Sequence, residues 1–485
     1  MDRRNFLRQT AATTAGSLIA PAILPSPVFG KSAPSAKTVA PGITAASGKV
    51  APSGKIAASD KIRIGQIGFG RIAMLHDLPE TLKHDMAVGV AVADVDLKRA
   101  RTGKQWIEDF YTEKRGQPGY VEVAVYQDYR EMLEDDSIDA VIISTPDHWH
   151  AQPAMEAAMA GKHIYLQKPA SLTIEEGRQM SNLVHRTGMV FQQGSQQRGT
   201  EPWPQFHRAC ELVRNGRIGE LKQVRIGLPG DPAGEPQPPM AVPATLDYEM
   251  WLGSTPYVYY TEKRVHPRDD FSRPGWLRCE QFGAGMITGW GAHHIDTAHW
   301  AMGTEYTGPV EVEAEAEFPA TGLWDVHGDF RVHARYENGV VMEISGSFPN
   351  GVRFEGTEGW IFVSRGDVTV TSSDPGSPGK ELKALDASDP KILESEIGPD
   401  ETHLYRAPEQ HLDWLEAIRE VRDPVAPVEV GHRSCSACLI SHIAMKIPGK
   451  LHWDPVRERF RDNDAANRML GRPQRYPYGT RYLME

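Results

Sequence analysis

Three histidines and a carboxylate are concentrated in the run from Gly289 to Trp300. If this run is helical, His293 and Asp296 are three residues apart and share one face, whereas His299 is rotated roughly 240° away from His293. One face would then present an imidazole beside a carboxylate. Because an imidazole titrates near neutral pH, such a histidine can take the proton of a hydroxyl group as a general base.

Two other interpretations of this run stay open. A metal site needs three or four convergent ligands, and only two of these side chains share a face. The histidines can also be core residues that pack beneath Trp300. The choice depends on which other polar groups the fold brings to the same place, so the neighbouring elements must be predicted first.

A lysine follows one predicted strand, and a polar segment follows another. Gln167-Lys168-Pro169 comes after the apolar run 163–166, and Thr145-Pro146-Asp147-His148-Trp149-His150 comes after the apolar run 140–144. The carboxyl ends of parallel strands are where an open α/β sheet binds its ligand. We therefore expect both segments to face a ligand. A polar loop with hydrogen-bonded histidines remains an alternative for the second one.

A glycine-rich turn follows the first predicted strand. The strand 62–67 leads directly into Gly68-Phe69-Gly70-Arg71-Ile72-Ala73, a G-x-G-x-x-A pattern. Gly68 permits the tight turn, Gly70 lets the backbone approach a pyrophosphate, and Ala73 lets the next helix pack close to the sheet. The pattern is typical of a dinucleotide-binding turn.

An acidic residue ends the next predicted strand, at the position where it can bind a ribose. The apolar run 88–93 ends in Asp94, and Asp96 is a second candidate nearby. A carboxylate here accepts hydrogen bonds from the ribose hydroxyls and repels a 2′-phosphate. We therefore expect the cofactor to be NAD rather than NADP.

The alternation of strands and helices predicts two domains. Residues 61–195 are expected to form a Rossmann domain, a doubly wound parallel sheet with helices on both faces. Residues 196–475 are expected to form an α/β domain with a large, mostly antiparallel open sheet, because strand patterns recur at 221–228, 310–318, 329–336, 340–347 and 360–363. Helices are predicted at 411–418 and 432–446, and residues 476–485 form a tail.

The order of these motifs resembles the Gfo/Idh/MocA oxidoreductase family, including its exported sugar oxidoreductases and glycoside dehydrogenases. The motifs are, in order, the glycine turn, the strand that ends at Asp94, Thr145-Pro146-x-x-x-His150 and Gln167-Lys168-Pro169. The resemblance runs from Lys61 to about Arg475. It implies a C-terminal sheet that covers the nicotinamide and can serve as an oligomer interface, so we expect a homo-oligomer. It also implies NAD binding by Gly68, Phe69, Gly70, Arg71, Ile72, Ala73, Asp94, Thr145, Pro146, His148, His150, Gln167 and Lys168.

The resemblance implies catalytic roles as well. Because only two candidate ligands share a helix face, we expect no metal. His293 is expected to be the general base, Lys168 the cation that polarises the reacting oxygen, and Asp296 an acceptor that holds a substrate hydroxyl or orients the histidine. Two positions depart from the family pattern: Gln167 replaces the usual Glu, and Gly289 stands where members often have Asp.

A mixed aromatic and polar segment is the candidate sugar-binding region. Apolar ring faces of sugars stack on aromatic side chains, while their hydroxyls need fixed donors and acceptors. A packed loop with buried tryptophans is the alternative. The substrate-binding candidates are Arg198, Tyr248, Trp251, His266, Arg273, Trp276 and His294.

The composition is that of an ordinary globular protein. Of 485 residues, 40% are hydrophobic and 24% charged. Because 64 acids outnumber 53 bases, giving net charge -11, nucleic acid is not an expected partner. Four cysteines are too few for a disulfide framework, and Cys435 and Cys438 lack a second pair to complete a zinc ribbon.

The first 30 residues resemble a twin-arginine (Tat) export signal. Arg3 and Arg4 precede Phe6 and Leu7, and no charged residue occurs between Gln9 and Gly30. Residues 31–60 contain no aromatic side chain and are mostly Ala, Ser, Gly and Pro, which is typical of a flexible linker. We expect the Tat machinery as a partner, a periplasmic or otherwise exported protein, and no membrane insertion after signal removal.

Three functions are consistent with the sequence. The expected one is an exported NAD-dependent oxidoreductase that takes a hydride from a secondary hydroxyl of a sugar or glycoside, with its cofactor tightly bound. An NAD-dependent glycosidase that works by transient oxidation and elimination would use the same residues. A non-enzymatic sugar-binding protein is the third, because of Gln167 and Gly289.

Overall fold

The computed structural model describes residues 60–366 and 382–484. The predicted export signal and nearly all of the predicted linker lie outside the described residues. No helix in the described ranges is both long enough and apolar enough to span a membrane.

The N-terminal half is built on a six-stranded parallel sheet. Its strands are β1 Ile62–Ile67, β2 Ala87–Ala93, β3 Ala124–Tyr126, β4 Ala140–Ile143, β5 His163–Gln167 and β6 Phe191–Gly194. Its helices are α1 Leu78–Leu82, α2 Leu97–Asp109, α3 Tyr129–Leu133, α4 Ala151–Met159 and α5 Ile174–Thr187. The strand order is β3-β2-β1-β4-β5-β6. In a doubly wound sheet of this order, the ligand crevice lies where the order reverses, between β1 and β4.

Local signals explain the ends of these helices. The Thr173 side chain accepts a hydrogen bond from Glu176 N at 3.2 Å at the start of α5, and Gly188 ends the helix with φ of 69°. Asp96 starts α2 in the same way, accepting from Lys98 N at 3.0 Å. Strand β2 is buried at every position, as expected for a parallel strand covered on both faces.

The C-terminal half is built on a nine-stranded sheet. Its helices are α6 Pro204–Arg214, α7 Tyr248–Leu252, α8 Met286–Gly289, α9 Gly291–Met302, α10 Pro390–Glu394, α11 Gln410–Glu420, α12 Val428–Lys446 and α13 Asp464–Asn467. Its strands are β7 Leu221–Gly227, β8 Glu311–Ala316, β9 Phe330–Arg335, β10 Val341–Ser345, β11 Gly351–Gly356, β12 Trp360–Val363, β13 Leu385–Ala387, β14 Leu451–Asp454 and β15 Arg459–Arg461. The order is β13-β12-β11-β7-β10-β9-β8-β14-β15, and β7 with β10 is the parallel pair.

One face of this sheet packs on the core and the other carries charged side chains. In β9, Phe330, Val332 and Ala334 are buried, whereas Arg331 and Arg335 are exposed. The long helix α12 contacts β8 on the inner face and also packs against α5 and α9. The predicted fold class, a Rossmann half followed by an α/β half with a mostly antiparallel open sheet, is confirmed.

Helix α12 also contains the two cysteines of the C-terminal pair. Cys435 and Cys438 are free and buried. Burial raises the pKa of the Cys435 thiol to about 11. A thiol of this kind is protonated at neutral pH and is therefore a poor metal ligand or nucleophile.

Candidate active site

A cavity of about 400 Å³ lies at the carboxyl ends of β1, β2, β4 and β5. The lining includes residues at or after the end of each of these strands, among them Gly68, Asp94, Thr145 and Lys168. Helix α9 and the connection between α7 and α8 supply further walls. The cavity therefore lies between the two sheets, at the edge where a doubly wound fold binds nucleotides.

The glycine turn has the shape that a pyrophosphate requires. Gly68 has a φ of +81°, and a Cβ there would lie 3.0 Å from the Ser144 carbonyl oxygen. At Gly70, a Cβ would meet no atom within 4 Å. The free space beside the Gly70 backbone fits a cofactor phosphate, and Gly68 is required for the turn itself.

Asp94 is held at the cavity by two backbone amides. Its Oδ2 accepts from Phe69 N and its Oδ1 from Asp96 N, each at 2.8 Å. Burial raises the pKa of Asp94, while the Asp96 amide, His266 and Arg99 act in the opposite direction. Asp96 caps α2 and is not among the cavity-lining residues, so Asp94 is the better-placed of the two acids for the ribose hydroxyls.

The segment from His266 to Phe271 packs against the glycine turn. His266 Nε2 lies 3.2 Å from Asp96 Oδ2, and Arg99 donates to the Pro267 carbonyl oxygen at 2.6 Å. The Phe271 ring contacts the Phe69 ring edge-on at 5.6 Å. His266, which the sequence predicted to bind substrate, is thus placed at the ribose end of the cavity because it belongs to this covering segment.

Lys168 follows β5 and lines the cavity with Asp147. The two side chains are electrostatically coupled: burial lowers the pKa of Lys168 and raises the pKa of Asp147, and each charge favours the other. Asp147 is 2% exposed, and its Oδ2 has no hydrogen-bond partner among the described residues. No local pattern in the sequence indicates that Asp147 lies near Lys168, so the sequence predicts no role for it.

Gln167 points to a different acid. Its Nε2 donates to Asp77 Oδ1 at 2.7 Å, and Ser144 Oγ donates to Asp77 Oδ2 at 2.6 Å. The Gln167 amide therefore binds the carboxylate of Asp77 and does not itself supply a carboxylate beside Lys168. The acid whose charge most favours the charged form of Lys168 is Asp147.

His293 lines the cavity, and one of its two ring nitrogens is already hydrogen-bonded to the backbone. Its Nδ1 lies 2.9 Å from the Ser195 carbonyl oxygen, and because a carbonyl only accepts, Nδ1 carries the proton and donates. Nε2 is then the nitrogen with a free lone pair. Burial lowers the pKa of His293 well below its usual value, and the charges of Arg365 and Lys168 lower it further.

Gly289 also lines the cavity, close to His293 in the chain. A Cβ there would meet Met286 Sδ at 3.4 Å, an ordinary contact. The backbone would therefore accept a side chain, and this chain provides no carboxylate at that position.

The structure places Asp296 in a buried ion pair. Its two oxygens accept from Arg198 at 2.7 and 3.0 Å, and Ser434 Oγ donates to Oδ1 at 2.8 Å. Arg198 also donates to Glu305 at 2.8 Å. Asp296 was predicted to hold a substrate hydroxyl or orient the histidine, and Arg198 was predicted to bind substrate. They instead bond each other, because this face of α9 packs on α12.

His294 has a similar position in the interior. Its Nε2 donates to Asn350 Oδ1 at 2.7 Å, and its ring stacks on Trp290 at 5.3 Å. Its prediction as a substrate ligand does not agree with these contacts. The neighbouring histidine in the chain, His293, faces the cavity instead.

The two histidines of the 145–150 segment contact backbone carbonyl oxygens and do not line the cavity. His148 Nε2 donates to the Trp251 carbonyl oxygen at 2.8 Å. His150 has ring nitrogens 2.5 Å from the Pro169 and 2.9 Å from the Thr145 carbonyl oxygens. His150 thus positions the loop that carries Lys168 from behind.

The predicted site residues divide into two sets. Those that line the cavity are Gly68, Gly70, Arg71, Ile72, Asp94, Thr145, Pro146, Gln167, Lys168, Trp251, His266, Arg273, Trp276 and His293. Those that support it from behind are Phe69, Ala73, His148, His150, Arg198, Tyr248, His294 and Asp296. Tyr248, for example, stacks on Trp251 at 5.8 Å and donates to the Val258 carbonyl oxygen.

Arg365 is a cation in the cavity wall that no sequence pattern predicts. It follows β12, and its guanidinium lies 4.4 Å from the Trp203 ring centroid and 4.9 Å from that of Trp290. A single arginine after a short strand gives no local signal of function. Only the fold brings it near Lys168 and His293.

One group in the described part of the chain has the composition of a metal site. The potential ligand atoms of His76, Asp77 and His411 lie within 4.8 Å of one another. Both oxygens of Asp77, however, already accept hydrogen bonds from Gln167 and Ser144. Metal binding would compete with both bonds, and the prediction of no metal stays a prediction.

Family models match both halves of the chain. Residues 62–195 match the model described as an oxidoreductase family with an NAD-binding Rossmann fold. Residues 233–372 and 375–480 match the C-terminal α/β domain of the same family. Together they cover well over half of the sequence.

Curated relatives include two enzymes that act on different bonds. The chain is 34% identical to myo-inositol 2-dehydrogenase from Thermotoga maritima over 176 residues, 36% of this chain and 47% of the relative. It is 33% identical to alpha-N-acetylgalactosaminidase from Shewanella oneidensis over 246 residues, 47% of this chain and 44% of the relative. The first relatives are matched over 44% to 66% of their own lengths.

The fold is shared with solved structures. The WlbA dehydrogenase from Bordetella pertussis, solved in complex with NADH and UDP-GlcNAcA, superposes with a TM-score of 0.55 at 17% identity, covering 81% of this chain and 99% of that one. The glycine turn with free space beside it, the amide-held Asp94 and the family matches agree on the cofactor. The chain belongs to the Gfo/Idh/MocA oxidoreductase family, and its N-terminal Rossmann half binds NAD.

Proposed function

We propose that this protein is an exported oxidoreductase that uses bound NAD to oxidise a secondary hydroxyl group of a sugar or glycoside. The observation that carries the proposal is that Lys168 and His293, from distant parts of the chain, line the same cavity as the glycine turn and Asp94. A cation and a neutral base beside a dinucleotide site are the groups that alcohol oxidation needs.

His293 acts as the base in this proposal. Bound NAD supplies the acceptor for the hydride that leaves the carbon. The hydroxyl proton goes to His293 Nε2, because Nδ1 is committed to the Ser195 carbonyl oxygen. The lowered pKa of His293 keeps the ring neutral, and therefore able to accept a proton, throughout the neutral range.

Lys168 and Asp147 hold charge around the reacting oxygen. The Lys168 ammonium polarises the hydroxyl and stabilises its developing negative charge. Asp147 lines the same cavity, and its charge favours the Lys168 ammonium while Lys168 favours the Asp147 carboxylate. In this proposal Asp147 takes the place of the carboxylate that Gln167 does not supply.

The cofactor is proposed to be NAD rather than NADP and to stay bound. Asp94 favours a free ribose over a 2′-phosphate. The segment 266–271 contacts the glycine turn through Phe271 and accepts hydrogen bonds from Arg99 of α2. These contacts support slow dissociation, because nucleotide release would require them to open. Retention suits an exported enzyme, since Tat substrates cross the membrane already folded.

A glycosidase that uses NAD transiently is the second candidate. It is favoured by the match to the Shewanella oneidensis alpha-N-acetylgalactosaminidase. Lys168 and His293 would serve either reaction, because both begin with removal of a hydroxyl proton and a hydride. The two differ in the product: the oxidoreductase leaves the glycosidic bond intact, and the glycosidase releases the aglycone without net oxidation.

Product analysis tests the proposal. NAD-loaded protein is incubated with a panel of sugars and nitrophenyl glycosides, with an artificial electron acceptor present. We expect a keto-sugar with the glycosidic bond intact and loss of product in Lys168→Met, which retains NAD. Nitrophenol release without a keto-sugar would support the glycosidase instead, and saturable sugar binding with neither product would make the chain a binding protein.

A further inference from the structure

Arg365 is a guanidinium in the cavity wall without an acidic partner among the described residues. It stacks between Trp203 and Trp290, with its Cζ 4.4 and 4.9 Å from their ring centroids. Its Nη2 is shielded from solvent and has no hydrogen-bond partner in the ranges 60–366 and 382–484. Most shielded cationic groups in folded proteins are paired, so this one has capacity to bind an anion.

Gln197 bonds the Nε of the same guanidinium. With its amide oxygen turned toward Arg365, Gln197 accepts from Arg365 Nε at 3.1 Å while its nitrogen donates to the His293 carbonyl oxygen at 3.0 Å. The orientation of Arg365 is therefore fixed relative to helix α9. Arg365 lines the cavity, and Gln197 accounts for one of its guanidinium donors.

Among the described residues, two cations lie near this end of the cavity. The charge of Arg365 lowers the pKa of Lys168, and the charges of both residues lower the pKa of His293. Asp147 is the acid whose charge most favours the Lys168 ammonium, and burial favours its protonated form. Burial also lowers the pKa of Arg365 to about 9, which is the cost of holding the charge without a partner.

We propose that Arg365 is a substrate-recognition residue that binds an anionic substituent of the sugar: a carboxylate, or a sulfate or phosphate ester. This inference rests on the proposed function and names its substrate class. A guanidinium binds such groups through paired hydrogen bonds, which are strong when both partners are charged and shielded from water. The indole rings on its two sides would exclude water from the contact.

The competing explanation is that Arg365 only packs between two tryptophans. A packing role requires the cation–π contacts but no anion. It predicts equal affinity for neutral and anionic sugars, so binding measurements separate the two explanations.

The experiment measures equilibrium binding to NAD-loaded protein by tryptophan fluorescence, to which Trp203 and Trp290 contribute among the 11 tryptophans of the chain. Matched probes are glucuronate against glucose, galacturonate against galactose, and a hexose sulfate and a hexose phosphate. We expect at least one anionic probe to bind on the order of 10- to 100-fold more tightly than its neutral partner, as expected for one charged hydrogen-bonded pair. The preferred probe identifies which anion the site takes.

Three variants complete the experiment. Arg365→Gln should remove the preference, and Arg365→Lys should restore part of it. Arg353→Gln is the matched control, because Arg353 lies over Trp360, 4.0 Å from its ring centroid, on the same sheet and is not among the cavity-lining residues. Its preference should equal that of the wild type.

The inference is overturned if neutral sugars bind as tightly as anionic ones, if no anionic probe binds, or if Arg365→Gln with its NAD retained keeps the preference. Since binding needs no hydride transfer, tight binding of an anionic sugar that is never oxidised would contradict the proposed function but not this inference. Oxidation of neutral sugars with no preference for anionic ones would contradict this inference but not the proposed function.

Discussion

At the scale of single residues, one hydrogen bond decides which nitrogen of His293 can be a base. The Ser195 carbonyl oxygen takes the Nδ1 proton, so Nε2 is left to accept. The next residue in the chain, His294, donates to Asn350 and stacks on Trp290. Adjacent histidines on one helix thus have different environments, and their variants should behave differently.

His293→Ala should retain NAD and lose turnover by about 10²- to 10⁴-fold, the usual contribution of a general base. His294→Gln is the matched control. It should lower the midpoint of thermal unfolding, because it changes a buried packed ring, while its turnover stays near that of the wild type. Normal turnover in His293→Ala, with the loss appearing in His294→Gln instead, would move the catalytic role to the second histidine.

Asp94→Asn should weaken NAD binding and reduce discrimination against NADP by on the order of tenfold, because a charge that repels the 2′-phosphate is removed. Titration of apoprotein with both nucleotides measures this ratio. Asp96→Asn is the matched control: asparagine caps a helix as well as aspartate does, so this variant should keep both the cap of α2 and the nucleotide preference. Equal discrimination in Asp94→Asn and wild type would remove Asp94 from the ribose site.

The residues that sequence predicted best are those whose role is local. The turn at Gly68 and the acid at Asp94 depend on the strand that each one ends, so pattern and spacing were sufficient. Arg365 and Asp147 face Lys168 only through the tertiary fold, and neither has a local signal. The position of His266 also depends on the tertiary fold. The aromatic and polar residues around it suggested a sugar-binding region, whereas its segment packs on the glycine turn.

At the scale of elements, helix α9 shows why spacing alone misplaced Asp296. His293 and Asp296 do lie in one helix, as predicted, but every residue from Gly291 to Ala301 is buried. A helix that is covered on all sides gives no amphipathic pattern, so its cavity face cannot be distinguished from its packing faces by sequence. Strands such as β7 and β9 were predicted because their apolar runs are short and bounded by turns, whereas β11, β14 and β15 were not predicted.

The turn between β1 and the helix that follows yields a prediction about a single element. Gly70→Val should fold, since a Cβ at Gly70 meets no atom within 4 Å, yet fail to retain NAD because the side chain occupies the pyrophosphate space. Nucleotide released by acid denaturation and the circular dichroism spectrum measure the two effects. Gly230→Val, at another open position, is the control and should retain NAD. NAD retained by Gly70→Val would contradict the assignment of this turn.

At the scale of the whole molecule, buried histidines make stability depend on pH. Burial lowers the pKa of six of them to about 3 or 4: His76, His148, His150, His294, His299 and His327. In the unfolded chain these groups titrate near 6.5, so below that pH the unfolded state binds more protons. Stability is therefore complete above about pH 6.5 and is lost as pH falls toward the folded pKa values.

The free energy of unfolding should fall by several kcal/mol between about pH 7 and about pH 5, since each such histidine contributes up to about 1.4 kcal/mol per pH unit. Asp147 and Asp231 oppose the trend, because burial raises their pKa and their protonation favours the folded state, but they are fewer. Urea unfolding of NAD-loaded protein at several pH values measures the slope. A constant or rising stability toward acid would contradict the neutral burial of these rings.

The central claim is that this cavity moves a hydride from a sugar hydroxyl to a nicotinamide that stays with the chain. The most direct measurement mixes the protein as isolated, without added nucleotide or acceptor, with neutral and anionic sugars and follows the absorbance of reduced nicotinamide. The account predicts a single burst, with its amplitude approaching one reduced nicotinamide per chain, and its loss in His293→Ala. Protein that releases NAD on denaturation but never reduces it with any of these sugars would contradict the account.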